Sequence, residues 1–236
     1  MKSLAAVMAV LMVAATASYG EALRTDRVSA SARWLVHIDI EALNSSQLGA
    51  TMKADIPAEH AAKLEEFKTN FGMDLLKDIS GITLYGENGE HGNAVAIIRG
   101  KFAVDKLVAL TKKNPDYEQI AYSNLAIHKW KNHGKDGFSC FYGDETLVMG
   151  GDLAQVKAAL NVLGGSTAHL TSANALSKLI PTAAGVFFFA SADGLDNMQG
   201  VDPNATVIKN SQTASLVVRE QAGELRSAAV LAIDVR

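Results

Sequence analysis

His37 and Asp39 are the residues whose types and spacing come nearest to chemistry. Two positions apart on a strand-like stretch, they point to one side, where a carboxylate can orient or charge an imidazole as in a general-base dyad. Such a dyad needs a nucleophile to activate, and no G-x-S-x-G elbow supplies a serine. The structural alternative places both on the solvent side of a strand whose other side, Val36, Ile38 and Ile40, enters the core.

Clustered oxygens are the second chemical feature. Asp193, Asp196, Asn197, Asp202 and Asn204 crowd one glycine-containing segment, a donor set suited to a hard cation such as calcium. Their order does not match the helix-loop-helix calcium pattern, and Asx and Gly are equally what turns require. The other histidines, His60, His91, His128, His133 and His169, show no H-E-x-x-H and no i to i+4 pair on a clear helix. His128 shares a strand face with Trp130 and Ala126 and is expected to pack against the core.

The chain has one cysteine, so no intramolecular disulfide can form and stability must come from packing. Cys140 lies in Phe138-Ser139-Cys140-Phe141-Tyr142, where a period of two places it beside Phe138 and Tyr142 as a core residue. Nucleotide chemistry has no support. Gly86 to Gly92 lacks a P-loop ending, and the free amides after Gly150-Gly151 are already capped by Asp152.

These residues must be held by strands and helices that the pattern locates. Trp34–Ile40 alternates as a strand. Pro57, then Leu64, Phe67 and Phe71, then Gly72 mark a helix with its start and stop. Strands 82–86 and 94–99 flank a polar tip. A helix over 104–112, strands at 117–122, 125–131 and 137–142, and a hairpin into 146–149 follow. Asp152 and Gln155 make a capping box ahead of Leu153, Val156, Leu160 and Leu163, which Gly164-Gly165 stops. A short helix over 172–179 precedes strands at 186–190, 215–219 and 225–235.

Trp34–Leu43 recurs faintly as Val186–Leu195, with a hairpin following in both places. The expected fold is α+β, mostly antiparallel sheet with helices on one face, built from two related strand-helix-hairpin units over 31–165 and 170–236, which can form one continuous domain. The second unit lacks the helix and strand that follow the first hairpin. That leaves an open sheet edge at Leu225–Val235, where another chain, including a second copy, could pair.

Lys2 and the unbroken apolar run Leu4–Ala15, followed by small residues, read as a secretory leader over 1–20 cleaved near 17 or 20. The run is too short to span a bilayer, which takes roughly 20 apolar residues. A secreted or periplasmic protein without stable membrane insertion is the expectation. With 22 basic residues against 25 acidic ones, and a densest basic stretch of only Lys129, Lys131 and Lys135, nucleic acid is excluded as a partner.

The early W-x-x-H-x-D-x-x-x-L strand (Trp34, His37, Asp39, Leu43) and the later G-D-x-T-L-V-x-G hairpin (Gly143, Asp144, Thr146, Leu147, Val148, Gly150) resemble a group of uncharacterised secreted proteins of environmental bacteria. That resemblance implies the address and the fold and brings no activity. Lacking a complete nucleophile or cofactor set, the sequence reads as a non-catalytic binding or assembly module for a protein or small ligand. The alternative is an extracytoplasmic hydrolase or metal-dependent enzyme whose histidine and acids come together only on folding.

Overall fold

Alternating side chains build one sheet from nearly every apolar stretch of the chain. The structure, a computed structural model, describes residues 22–90, 93–200 and 206–233. Strand β1 (Trp34–Asp39) leads into helices α1 (Ile40–Ser45), α2 (Gln47–Ala54), α3 (Ala58–Phe71) and α4 (Leu75–Asp78). Next come β2 (Ile79–Gly86), β3 (Val95–Gly100), α5 (Val104–Thr111), β4 (Glu118–Tyr122), β5 (Leu125–Asn132), β6 (Lys135–Phe141), β7 (Thr146–Gly150) and α6 (Leu153–Leu163). The chain continues through β8 (Val186–Asp193), α7 (Thr206–Lys209), β9 (Ser211–Gln221) and β10 (Glu224–Ile233). All ten strands form one antiparallel sheet in the order β10-β9-β8-β1-β2-β3-β7-β6-β5-β4, which is the expected α+β class.

The capping signals act where the sequence places them. Pro57 caps α3, and Gly72 ends it in a left-handed conformation at φ 66°. The Asp152 carboxylate accepts the Gln155 amide at 3.0 Å and starts α6, which buries Val156, Ala159, Leu160 and Val162. Their partners on the covered face of the sheet include Leu35, Ile97, Ile127, Cys140 and Val148. Residues 172–179 are not the expected short α-helix; the chain there makes one 3-10 turn at Leu176–Leu179.

The orientation of β1 reverses expectation. Leu35, His37 and Asp39 face the core and are 0, 4 and 6% exposed, whereas Val36 and Ile38 lie half-buried on the opposite face. The polar pair tolerates burial because both side chains find internal partners.

Strands of both sequence units lie in this one sheet and meet where β1 pairs antiparallel with β8, the third and fourth strands from the β10 edge. The sequence repeat aligns His37 with Phe189, and these two residues are direct cross-strand partners. A local two-fold axis therefore passes through that pair, exchanging β1 with β8, β2 with β9 and β3 with β10. The symmetry then stops. β3 pairs on its outer side with antiparallel β7, whereas β10 pairs among the described strands with β9 alone.

Candidate functional site

His37 and Asp39 do converge with a further acid. They line a cleft of about 460 Å³ together with Phe187 and Phe189 of β8, Ala42 and Ser45 of α1, Ser46, Ile180, Pro181, Ala183, Ala184 and Gly185, and Glu220 of β9. Apolar and polar side chains both line it.

The polar side chains of that lining have structural work. The His37 Nδ1 and the Thr83 hydroxyl are hydrogen-bonded at 2.9 Å, and the imidazole leans on Phe189 with ring centres 5.6 Å apart. Asp39 accepts the Ala42 amide at 2.8 Å and so caps α1. Glu220 accepts the amides of Gln47 and Leu48 at 2.8 and 3.4 Å, capping α2 from across the sheet. A carboxylate at a helix start satisfies amides that have no helical partner and meets the positive end of the helix dipole. The Ser45 hydroxyl donates to the Glu41 carbonyl, and that of Ser46 donates to the Leu43 carbonyl. Neither is activated as a nucleophile. The cleft can enclose a small, partly apolar molecule with a polar end.

The oxygen-rich segment is only partly in view. Asp202 and Asn204, like His91, lie outside the described residues. The Asp196 carboxylate accepts from the Asn197 side-chain amide at 2.9 Å. The Arg33 guanidinium donates to the carbonyls of Asp193 and Gly194 at 3.1 and 3.3 Å, which sets a positive charge beside them. Among the described residues no three His, Cys, Asp or Glu side chains gather as a metal site.

Cys140 is fully buried, and burial pushes its thiol up to about 11, so it stays protonated and inert at neutral pH. His128 is also buried, stacked on Tyr117 with its Nδ1 3.0 Å from the phenol oxygen. Burial, and secondarily the Lys112 charge, hold its pKa below the ordinary 6.5. The unfolded chain then takes up the proton first as pH falls, so this group's stabilisation is full above about pH 6.5 and declines below it. Urea titrations from pH 7.5 to 5 should show that decline, and His128→Gln should flatten it; an unchanged slope in the variant refutes the assignment.

The second candidate site is the outer hairpin, where the incomplete second repeat unit leads to the expectation of an open sheet edge. β9 turns into β10 through Ala222 and Gly223, at φ 53° and 78°, the two-residue turn whose twist suits a hairpin. Leu225, Val230 and Leu231 are 55, 61 and 46% exposed. Beside them, on the less covered face of the sheet, an almost wholly apolar groove of about 390 Å³ runs between Trp34, Val36, Ala190, Leu216, Ala229 and Leu231.

No helix of the described residues is long and apolar enough to cross a membrane. No family model and no curated protein matches the chain. Among solved structures the fold is similar to crystal forms I and IV of TP0453, at 7 and 6% sequence identity and a TM-score of 0.51 for each. These alignments cover 92 and 89% of this chain and 81% of each TP0453 chain, and at such identity what the proteins share is the fold.

Proposed function

We propose that this chain works outside the cytoplasm as a non-catalytic binding module, and that its binding surface is the β9–β10 hairpin. The leader-like Lys2 and Leu4–Ala15 support the address. The observation that carries the binding role is β10 itself: its outer edge is unpaired among the described strands, and it has no charged residue from Ser227 to Ile233. Edge strands of soluble proteins are ordinarily blunted by Lys, Pro or an added cover, because free amides and carbonyls recruit another strand. An unblunted edge next to an apolar groove is a strand-accepting surface.

In a hairpin closed by a two-residue turn, the pair flanking the turn is hydrogen-bonded. Alternation from Gln221–Glu224 onward therefore leaves the amides of Leu225, Ser227, Ala229 and Leu231 pointing outward. Their hydrogen exchange should slow about tenfold or more when an extracytoplasmic extract, or more of the chain itself, is added. Equally fast exchange under both conditions overturns the reading.

The cleft favours a second reading, a hydrolase using His37, Asp39 and Glu220. It requires turnover that is lost in Asp39→Asn while the fold remains.

A further inference from the structure

Resting on that reading, we propose that the strand accepted by β10 is β10 of a second copy of this chain, paired antiparallel about Ala228. The internal two-fold supplies the first argument. Through the pairings Leu84–Ala96 and Val218–Ser227, Ala96 of β3 corresponds to Ser227 of β10, and Ile97 corresponds to Ala228. In the first unit the outer edge at Ile97 is closed by an antiparallel strand, with Val148 directly opposite. In that closed setting, where α6 also covers β3, Val95 and Ile97 are 1 and 2% exposed, and Arg99, the counterpart of Val230, is half-buried, whereas Val230 on β10 is 61% exposed. The missing neighbour of β10 is thus an antiparallel strand.

The second argument is self-complementarity. Two copies of one edge strand related by a two-fold axis perpendicular to the sheet pair antiparallel and present the same face. An axis at Ala228 sets Leu225 opposite Leu231 of the second copy, so the two exposed leucines on one face of the strand cover each other. Ser227 then meets Ala229, and Arg226 meets Val230, along which its aliphatic stem can lie while it keeps its 3.1 Å ion pair with Glu224. The residues brought opposite one another in this way, Leu225 with Leu231 and Ser227 with Ala229, are those whose amides and carbonyls point outward. Shifting the axis to Ser227 sets Leu225 against Ala229 and Glu224 against Val230, leaving Leu231 uncovered. The two apolar grooves, each ending at Ala229 and Leu231, become continuous across the axis.

Sedimentation equilibrium of the full chain without its leader tests the assembly, and engineered cysteines test the register. Ala229→Pro removes an outward amide without breaking a bond to β9, a place where an edge strand tolerates proline. Loss of that bond and its symmetry mate should weaken the dimer about 100-fold with circular dichroism and melting nearly unchanged. Ala228→Cys should form a covalent dimer under mild oxidation, since a non-hydrogen-bonded antiparallel pair brings the Cβ atoms within disulfide reach. Val230→Cys, which faces Arg226, should not. Buried Cys140 does not interfere.

A monomer at high micromolar concentration, a dimer unaffected by Ala229→Pro, or cross-linking through Val230→Cys in place of Ala228→Cys overturns the proposal. The exchange experiment separates its failure from that of the broader reading. Protection of β10 by extract but not by the chain's own concentration rejects the second copy and keeps the strand-accepting edge, whereas protection by neither rejects both.

Discussion

Leu35→Ala should lower the free energy of unfolding by about 3–5 kcal/mol, in the upper range for a leucine truncated in a packed core. Val36→Ala, one residue along the same strand, should cost no more than about 1 kcal/mol, because its methyl groups already touch solvent. Leu35 is wholly buried on the face that meets α6 and its neighbours. β1 is an interior strand, clamped by β8 and β2, so its backbone cannot easily move in to fill the space left by a lost side chain. Urea unfolding of both variants measures the contrast. Equal losses would mean that the two faces of β1 are equally packed, and the assignment of the core would fail.

That contrast marks the limit of what alternation reveals. A period of two finds a strand and sorts its side chains into two sets, but does not say which set is inside when both hold apolar residues. In β1 the more uniformly apolar set, Val36 and Ile38, faces the thinner cover. The set carrying His37 and Asp39 is buried because Thr83 and the α1 amide of Ala42 complete their hydrogen bonds, partners that only the folded chain supplies. Helices α1 and α2 were hidden for a related reason. They are short, they begin at the caps Asp39 and Ser46, and neither has a long apolar stripe.

The remaining strands, α3 and α6 were legible, since each combined a clear period with a stop or a cap. In the cleft, the pair two residues apart could be read from the sequence, but Glu220 could not. It arrives through the pairing of β8 with β9, and its link to α2 is a backbone contact with no local pattern. The open edge at the outer hairpin was legible because the second repeat unit shows no counterpart of the strand that follows the first hairpin, but the apolar groove beside it was not. The symmetry that assigns β10 a missing neighbour needed the register, which turned a weak repeat into a geometric relation between His37 and Phe189.

Gly185→Val should destabilise the protein by about 3 kcal/mol or more and loosen the outer hairpin first. Gly185 stands where β8 begins, at φ 75°, a conformation that costs a non-glycine residue about 1–3 kcal/mol and a β-branched one most of all. Its Cβ would also run into the carbonyl oxygen of Glu220, the residue whose amide donates to the Gly185 carbonyl at 3.1 Å. Since the obstacle is backbone, no rotamer relieves it. The strands must part beside the irregular pairing between Val186 and Phe188, which draws the Glu220 carboxylate off the start of α2. Gly134 supplies the control: it has the same sign of φ, 77°, but no atom lies within 4 Å of the place its Cβ would take, so Gly134→Ala should cost only about 1 kcal/mol. In Gly185→Val, hydrogen exchange should quicken in β9 and β10 before β3 and β7, because β8 is the only described strand that pairs with the outer hairpin. Uniform quickening, or a loss no larger than that of Gly134→Ala, would show that this glycine is kept for its turn and not for the close approach that seats the hairpin.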